Sequence, residues 1–329
     1  ILLRSEQSKV QGTLSRQDSI GHLIGVAVCG NRPLSRAYGR ERPARAMLLS
    51  SLLLLLSSQS VFAFASPPQA PRPPAMVAAA ATGAGALAPA AELHGALVAY
   101  DGDAQLKARI DSALRVLEDA FRVFGGDAVY ASFNGGKDAC VILHLLRAAR
   151  HARALKAGAS PTPRLVFFDA SDDFDEVRRF VADTCDAVAA AGDVVVEPMA
   201  LDVGFVAGLE DLVARSKPRP LAFVLGTRRG DPNCGDQKAF EPSSDWMPPF
   251  MRVNPILDWT YGDVWAFLRA FDLPYCALYD GGYTSLGSVP TTSRNPALLG
   301  DGGAYKPAHL LEDWSLERAG RVSKKKPSD

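Results

Sequence analysis

Net charge is the first thing this chain lacks: 36 Lys and Arg balance 36 Asp and Glu over 329 residues. Nothing general therefore draws it to nucleic acid or to an anionic membrane. Cysteine is scarce. The five residues (Cys29, Cys140, Cys185, Cys234 and Cys276) are odd in number, far apart and never spaced as CxxC. That spacing argues against a disulfide framework and a structural zinc site, and it fits a fold that keeps its thiols reduced. Also missing is an unbroken apolar run of the ~18 residues that a membrane span needs. The nearest approach, around Leu48 to Leu56, is interrupted by serines and followed by Gln59.

What is present is the stretch Ser132-Phe133-Asn134-Gly135-Gly136-Lys137-Asp138. A short apolar run, Ala128 to Ala131, precedes it and reads as a buried strand. Cys140 to Ala149 follows, with Val141, Ile142, Leu145, Leu146 and Ala149 at helical spacing. Strand, glycine turn and helix together predict a row of free backbone N–H groups at a helix N-terminus, which favours an anion. The adjacent glycines allow phosphate oxygens close to the main chain. Lys137 would add a mobile ammonium, and Asp138 stands where a carboxylate could hold Mg²⁺. The spacing is neither that of a Walker loop, which needs four residues between its glycines and Ser or Thr after the lysine, nor GxGxxG.

The chain divides by composition. Residues 1–46 show little apolar periodicity and read as a disordered or upstream arm. Residues 47–65 have the order of a secretory signal: Arg42 and Arg45 before Met47, the leucine run, then the small-x-small site Ala63-Phe64-Ala65. Residues 66–98 are Pro- and Ala-rich, a linker or transit composition that cannot build a core. Two readings stay open: a two-part plastid leader, or a cytosolic product starting at Met76. Either way, no stable membrane span is expected in the mature form.

From residue 99 onward the pattern is that of a single catalytic domain. Leu106, Ile110, Leu114, Leu117, Phe121 and Phe124 predict a helix that ends at Gly125-Gly126. Strands are expected at Leu165–Phe168, Val194–Val196 and Leu221–Leu225, and helices at Phe174–Val188, Phe205–Ala214 and Tyr261–Phe271. Such alternation predicts an α/β fold, a mostly parallel sheet with helices on both faces and ligands beyond the C-terminal strand ends. Gly226–Pro255 and Gly281–Tyr305 break the pattern. Trp246, Phe250, Met251 and Tyr283 inside them argue for ordered walls of a pocket.

Five motifs then appear in order. They are Ser132–Asp138; Gly226-Thr-Arg-Arg-Gly-Asp-Pro232; Arg252-Val-Asn-Pro-Ile-Leu-Asp-Trp259; Pro274–Asp280 with Gly282–Gly287; and Ser315-Leu-Glu-Arg-Ala-Gly-Arg321. The first resembles the pyrophosphate loop of the ATP pyrophosphatase superfamily, written SGGxDS. Together, over about Tyr100 to Arg321, they resemble eukaryotic FAD synthase (FMN adenylyltransferase), a relative of PAPS reductase, in its single-domain form. Two positions depart from the pattern: Gly230 replaces the usual Thr, and Ala139 replaces the cysteine that follows the loop aspartate. Neither removes a charge.

The resemblance implies an adenine nucleotide α-hydrolase-like fold that transfers AMP from ATP to the phosphate of FMN, with Mg²⁺. The ATP side would be Ser132, Phe133, Asn134, Gly135, Gly136, Lys137, Asp138 and Asp169. Asn134 would face the α-phosphate, Lys137 the β- and γ-phosphates, and Asp138 the metal. Arg318 and Arg321, three apart, could share one helical face and clamp phosphates; the alternative is a solvated basic tail running into Lys324 to Lys326. Asp169 is the candidate reader of the adenine amino group, or else part of a helix cap with Ser171 and Asp172. Arg228, Asp231, Trp246, Arg252 and Asp258 are candidates for the flavin side, although Asp258 could instead cap the last helix. Expected partners are ATP, FMN and FAD-accepting apoproteins. A PAPS or APS reductase would need a nucleophilic cysteine near its C-terminus, and residues 277–329 contain none. A non-catalytic flavin-nucleotide carrier is the rival from another class.

Overall fold

The computed structural model describes residues 87–322, apart from 159–161, 198, 200–201 and 233. The arm, the signal-like segment and most of the Pro- and Ala-rich stretch lie outside the described residues. Helix α1 (Ala90–Ala99) comes first. It precedes the expected start of the fold and corrects the reading that residues 66–98 build no core. Leu93 and Leu97, one turn apart, are buried, and α1 packs on α3 (Lys137–Ala157). The buried guanidinium of Arg147 donates to Ala88 O at 2.7 Å and pairs with Asp193 at 2.6 Å, fixing the chain that leads into α1.

Helix α2 (Ala104–Phe124) follows the expected stripe, with the Asp103 side chain accepting from Leu106 N at its start. Strand β1 (Val129–Ser132) leads to the loop and α3, then β2 (Arg164–Val166), α4 (Asp175–Ala190), β3 (Val195–Glu197), α5 (Phe205–Ser216) and β4 (Ala222–Val224). After them the chain forms β5 (Phe240–Pro242), β6 (Met251–Val253) and α6 (Tyr261–Ala270). The hairpin β5–β6 lies inside the stretch that showed no periodicity, because three-residue strands are too short to display one.

The sheet order is β3-β2-β1-β4-β6-β5, parallel throughout except for β5 on β6. Its central strands β1 and β4 are buried on both faces. Val129, Ala131, Ala222 and Val224 join the core beneath α1, α2, α3, α4 and α6. The alternate residues Tyr130, Phe223 and Leu225 join the core beneath α5. Helix α3, covered by the sheet on one side and by other helices on the other, is buried almost all round over its first half.

From β1 the chain runs outward through β2 and β3, then returns to the other side of β1 as β4. That reversal opens a crevice beyond the C-terminal ends of β1 and β4, the usual ligand position in such sheets. The loops that leave these two strands are Phe133–Gly136 and Leu225–Thr227. Among the described residues no helix is long and apolar enough to cross a membrane.

Candidate active site

The crevice is lined by Ser132, Asn134, Gly136, Lys137 and Asp138 from the first loop, Gly226, Thr227 and Asp231 from the second, and Glu317, Arg318 and Arg321 from the C-terminal segment. Helix α3 begins at Lys137, three residues before the apolar stripe became legible, so Lys137 and Asp138 form its first turn. Gly135 adopts φ +71°, and a Cβ there would stand 3.0 Å from Val181 Cγ2. Gly226 approaches the start of α3 so closely that a Cβ would lie 3.0 Å from Asp138 Cβ. The two loops are thus in contact.

The expected row of free N–H groups is shorter than the sequence suggested. Gly136 N donates to Asn134 Oδ1 at 3.1 Å, and Lys137 N donates to the Tyr279 hydroxyl at 2.8 Å. Among the described residues, Gly135 N and Ala139 N have no acceptor. With its oxygen engaged, Asn134 is left with its NH₂ as a donor to the crevice.

Lys137 is not a mobile cation either. Its ammonium is buried, 3.0 Å from Asp138 Oδ2 and 2.5 Å from Glu317 Oε1, and lies 5.3 Å from the centre of the Tyr261 ring. Arg228 is buried beside it and reaches Glu317 Oε1 at 2.6 Å and Oε2 at 2.8 Å. Its backbone N–H donates to Asp231 Oδ2 at 2.9 Å. Arg228 Nε also comes within 2.8 Å of Asp138 Oδ1, but the pair is not aligned as a hydrogen bond, so both atoms lack one. Their attraction is Coulombic.

These contacts set the charge states. Burial pushes the Asp138 carboxyl up, but Arg228 and Lys137 outweigh it and hold the group below its ordinary range. Burial pulls Lys137 down, and Asp138 and Glu317 more than restore it. Asp231 is raised, because burial exceeds the pull of Arg228. Glu317 was not singled out in the sequence. It sits inside the Ser315–Arg321 motif, but with no neighbouring pattern nothing marked it as the counter-ion of Lys137.

The C-terminal segment reaches the crevice through buried side chains. Asn295 Nδ2 donates to Thr284 Oγ1 and to Leu316 O, both at 2.8 Å, and Thr284 Oγ1 donates to Glu317 O at 2.7 Å. Arg318 and Arg321 both line the crevice, but on a turn rather than on a helical face: Arg321 N donates to Arg318 O at 2.9 Å. Among the described residues neither arginine has an ion-pair partner. Burial and the nearby Arg318 charge lower the pKa of Arg321.

Other candidates are placed elsewhere. Phe133 is buried in the core against Phe180, so only its main chain belongs to the loop. Asp169 is gripped by Arg178 through two bonds of 2.8 Å. Arg252 is buried on β6 and donates to Ser244 Oγ at 2.9 Å. Trp246 is exposed in the β5–β6 connection. Asp258 is an exposed partner of Arg229 at 2.5 Å, and the helix that it was thought to cap is capped instead by Thr260, in a reciprocal box with Asp263. Trp259 and Trp265 are core residues.

The family model for the phosphoadenosine phosphosulfate reductase domain matches residues 213–294. The chain is 38% identical over 220 residues to "Probable FAD synthase" of Schizosaccharomyces pombe, covering 66% of this chain and 80% of that protein. The chain belongs to the FAD synthase family. A Caenorhabditis briggsae member, also "Probable FAD synthase", is 37% identical over 219 residues, 65% of this chain and 40% of its own length. The fold is shared with Candida glabrata FMN adenylyltransferase, solved with FMN and the ATP analogue AMPCPP, at a TM-score of 0.64 and 24% identity over 72% of this chain and 96% of that one. In FAD synthase terms, this chain is a nucleotidyltransferase whose crevice lies at the β1/β4 reversal.

Proposed function

We infer that the chain makes FAD by adenylyl transfer. An oxygen of the FMN phosphate forms a bond to the α-phosphorus of ATP. The bond from that phosphorus to the β-bridging oxygen breaks, and pyrophosphate leaves with the electron pair. The attacking oxygen is already ionised, so no proton has to be removed, and the task is to align and neutralise two polyanions. The observation that carries this reading is the pair Arg318 and Arg321, without carboxylate partners among the described residues, lining the same crevice as the N-terminus of α3. Two cations held together in a partly buried wall are relieved by an anion.

In this reading Gly135, Gly136 and Ser132 shape the phosphate cradle and Asn134 donates toward the α-phosphate. Lys137 and Arg228 supply fixed positive charge. Asp138 would be the carboxylate to hold Mg²⁺, since it lines the crevice beside the phosphate loop and stays ionised, and that ion needs only one or two carboxylates beside phosphate oxygens. Among the described residues there is no cluster of three or more metal-ligating side chains. When bound, the metal would neutralise triphosphate charge. We place the flavin along residues 226–253, with Asp231 in the crevice and Trp246 as an exposed aromatic for the ring. FAD-accepting apoproteins are the proposed recipients of the product. Reductase chemistry finds no support, because Cys276 is fully buried.

The test is incubation of the full chain with FMN, ATP and Mg²⁺, following FAD and pyrophosphate, with Asp138→Asn alongside. FAD is expected from the intact chain at a rate at least about 10²-fold above the variant. Binding of FMN with no FAD formed would leave only a carrier.

A further inference from the structure

Tyr279 lines the same crevice. Its ring is 1% exposed and packs edge-on against Trp265, with centroids 5.3 Å apart. Tyr275 flanks it at 6.4 Å. The ring therefore holds its oxygen in one place, where it accepts the Lys137 N–H at 2.8 Å. The same oxygen lies 3.8 Å from where a Cβ on Gly136 would stand, which puts it against the phosphate loop itself.

A phenol that accepts one hydrogen bond still has a hydrogen to donate. Burial, with the Asp138 charge behind it, pushes the ionisation of Tyr279 well above its ordinary range, so the hydroxyl keeps its proton at neutral pH. Among the described residues no acceptor lies within hydrogen-bond reach of it. The residue lines the crevice together with Arg318 and Arg321, which can only donate, and with the carboxylates of Asp138 and Glu317, which are taken by Lys137 and Arg228. A buried O–H with no acceptor among the described residues, set in the wall of an anion crevice, is satisfied when a phosphate oxygen enters.

We propose that Tyr279 is a phosphate-binding residue whose hydroxyl donates to the pyrophosphate part of the nucleotide while its oxygen holds the Lys137 N–H. The inference rests on the adenylyl-transfer reading and adds a donor to it. One oxygen thereby ties the start of α3 and the leaving group to a single rigid ring.

The experiment is calorimetric titration of the full chain and of Tyr279→Phe with inorganic pyrophosphate and, separately, with AMP. Pyrophosphate is expected to bind the variant about 10-fold more weakly, the loss typical of a hydrogen bond to a charged group. AMP should bind the variant within about twofold of the intact chain, since it lacks the β- and γ-phosphates that the hydroxyl would meet. Unchanged pyrophosphate affinity overturns the proposal. So does an equal loss for AMP, which would mark a residue that merely supports the loop. An intact chain that binds neither ligand overturns the adenylyl-transfer reading itself. Should Tyr279→Phe not fold, ring-fluorinated tyrosine at position 279 keeps the hydroxyl and reports by fluorine NMR. Its resonance is expected to move on saturation with pyrophosphate, and a stationary resonance overturns the proposal.

Discussion

The Lys137 ammonium and the Glu317 carboxylate meet at 2.5 Å although 180 positions separate them in the chain. The same carboxylate takes Arg228, so one acidic group fixes two buried cations and anchors the turn that carries Arg318 and Arg321. Glu317→Gln preserves size and removes the charge. Breaking one side of a buried pair costs about 3 kcal/mol, so thermal unfolding should move down by several degrees. FAD formation should fall by at least about 10-fold because the arginine turn loses its anchor. A variant that melts and turns over like the intact chain would show the pair to be incidental.

Arg318→Lys and Arg321→Lys each keep a positive charge and lose the planar fork. If the two arginines clamp phosphates, charge alone does not replace them. Each variant should lower kcat by about 10²-fold, while circular dichroism stays that of the intact fold. Steady-state FAD formation decides it. Activity within about twofold in both variants would return these residues to the role of a solvated basic tail.

Asp169 is held by Arg178 at two points, a geometry that serves either an adenine reader kept in place or a plain ion pair. Substrate choice separates the two. Asp169→Asn should lower the ratio of kcat/KM for ATP over GTP by about 10-fold if the carboxylate accepts from the adenine amino group, as expected for a lost charged hydrogen bond. An unchanged ratio would leave Asp169 with its ion pair alone.

Asp173 gives a stability prediction with a defined pH window. Burial, with Asp172 and Asp169 nearby, pushes its carboxyl up to about 6. The folded chain therefore holds this proton over a range in which the unfolded chain has released it. Below about pH 4 both states are protonated and the residue costs nothing. Above about pH 6 the folded state must carry a half-buried charge, and stability is lower by that difference. Asp173→Asn should thus raise the melting temperature at pH 8, by an amount near 1 kcal/mol after allowing for partial exposure. At pH 4 the gain should vanish. Melting curves at the two pH values check the sign.

Much of the architecture could be read along the chain. The α2, α4 and α6 stripes, the apolar runs of β1 and β4 and the glycine turn before α3 are local patterns, because helix and strand periods repeat within a few residues. The phosphate loop was legible for the same reason: its residues act within one turn of main chain. Helix α1 was not. Its two anchors, Leu93 and Leu97, sit among alanines after a proline-rich stretch, and its stability comes from docking on α3. Nor was the β5–β6 hairpin, whose strands pair at a sheet edge in runs too short to carry a period.

The site divides the same way. Sequence alone determined which side chains carry charge and which loop can cradle phosphate. Only the tertiary structure decided which of those charges meet. The reversal of strand order between β1 and β4 brings Gly226 onto Asp138, and the buried amide of Asn295 holds the backbone that presents Glu317. Such contacts depend on how distant segments pack, and Coulomb attraction at a few ångströms has no counterpart in residue order. That is why Lys137 read as a free cation and is instead a buried one, and why Tyr279 read as part of a motif and is instead the group that holds the start of α3.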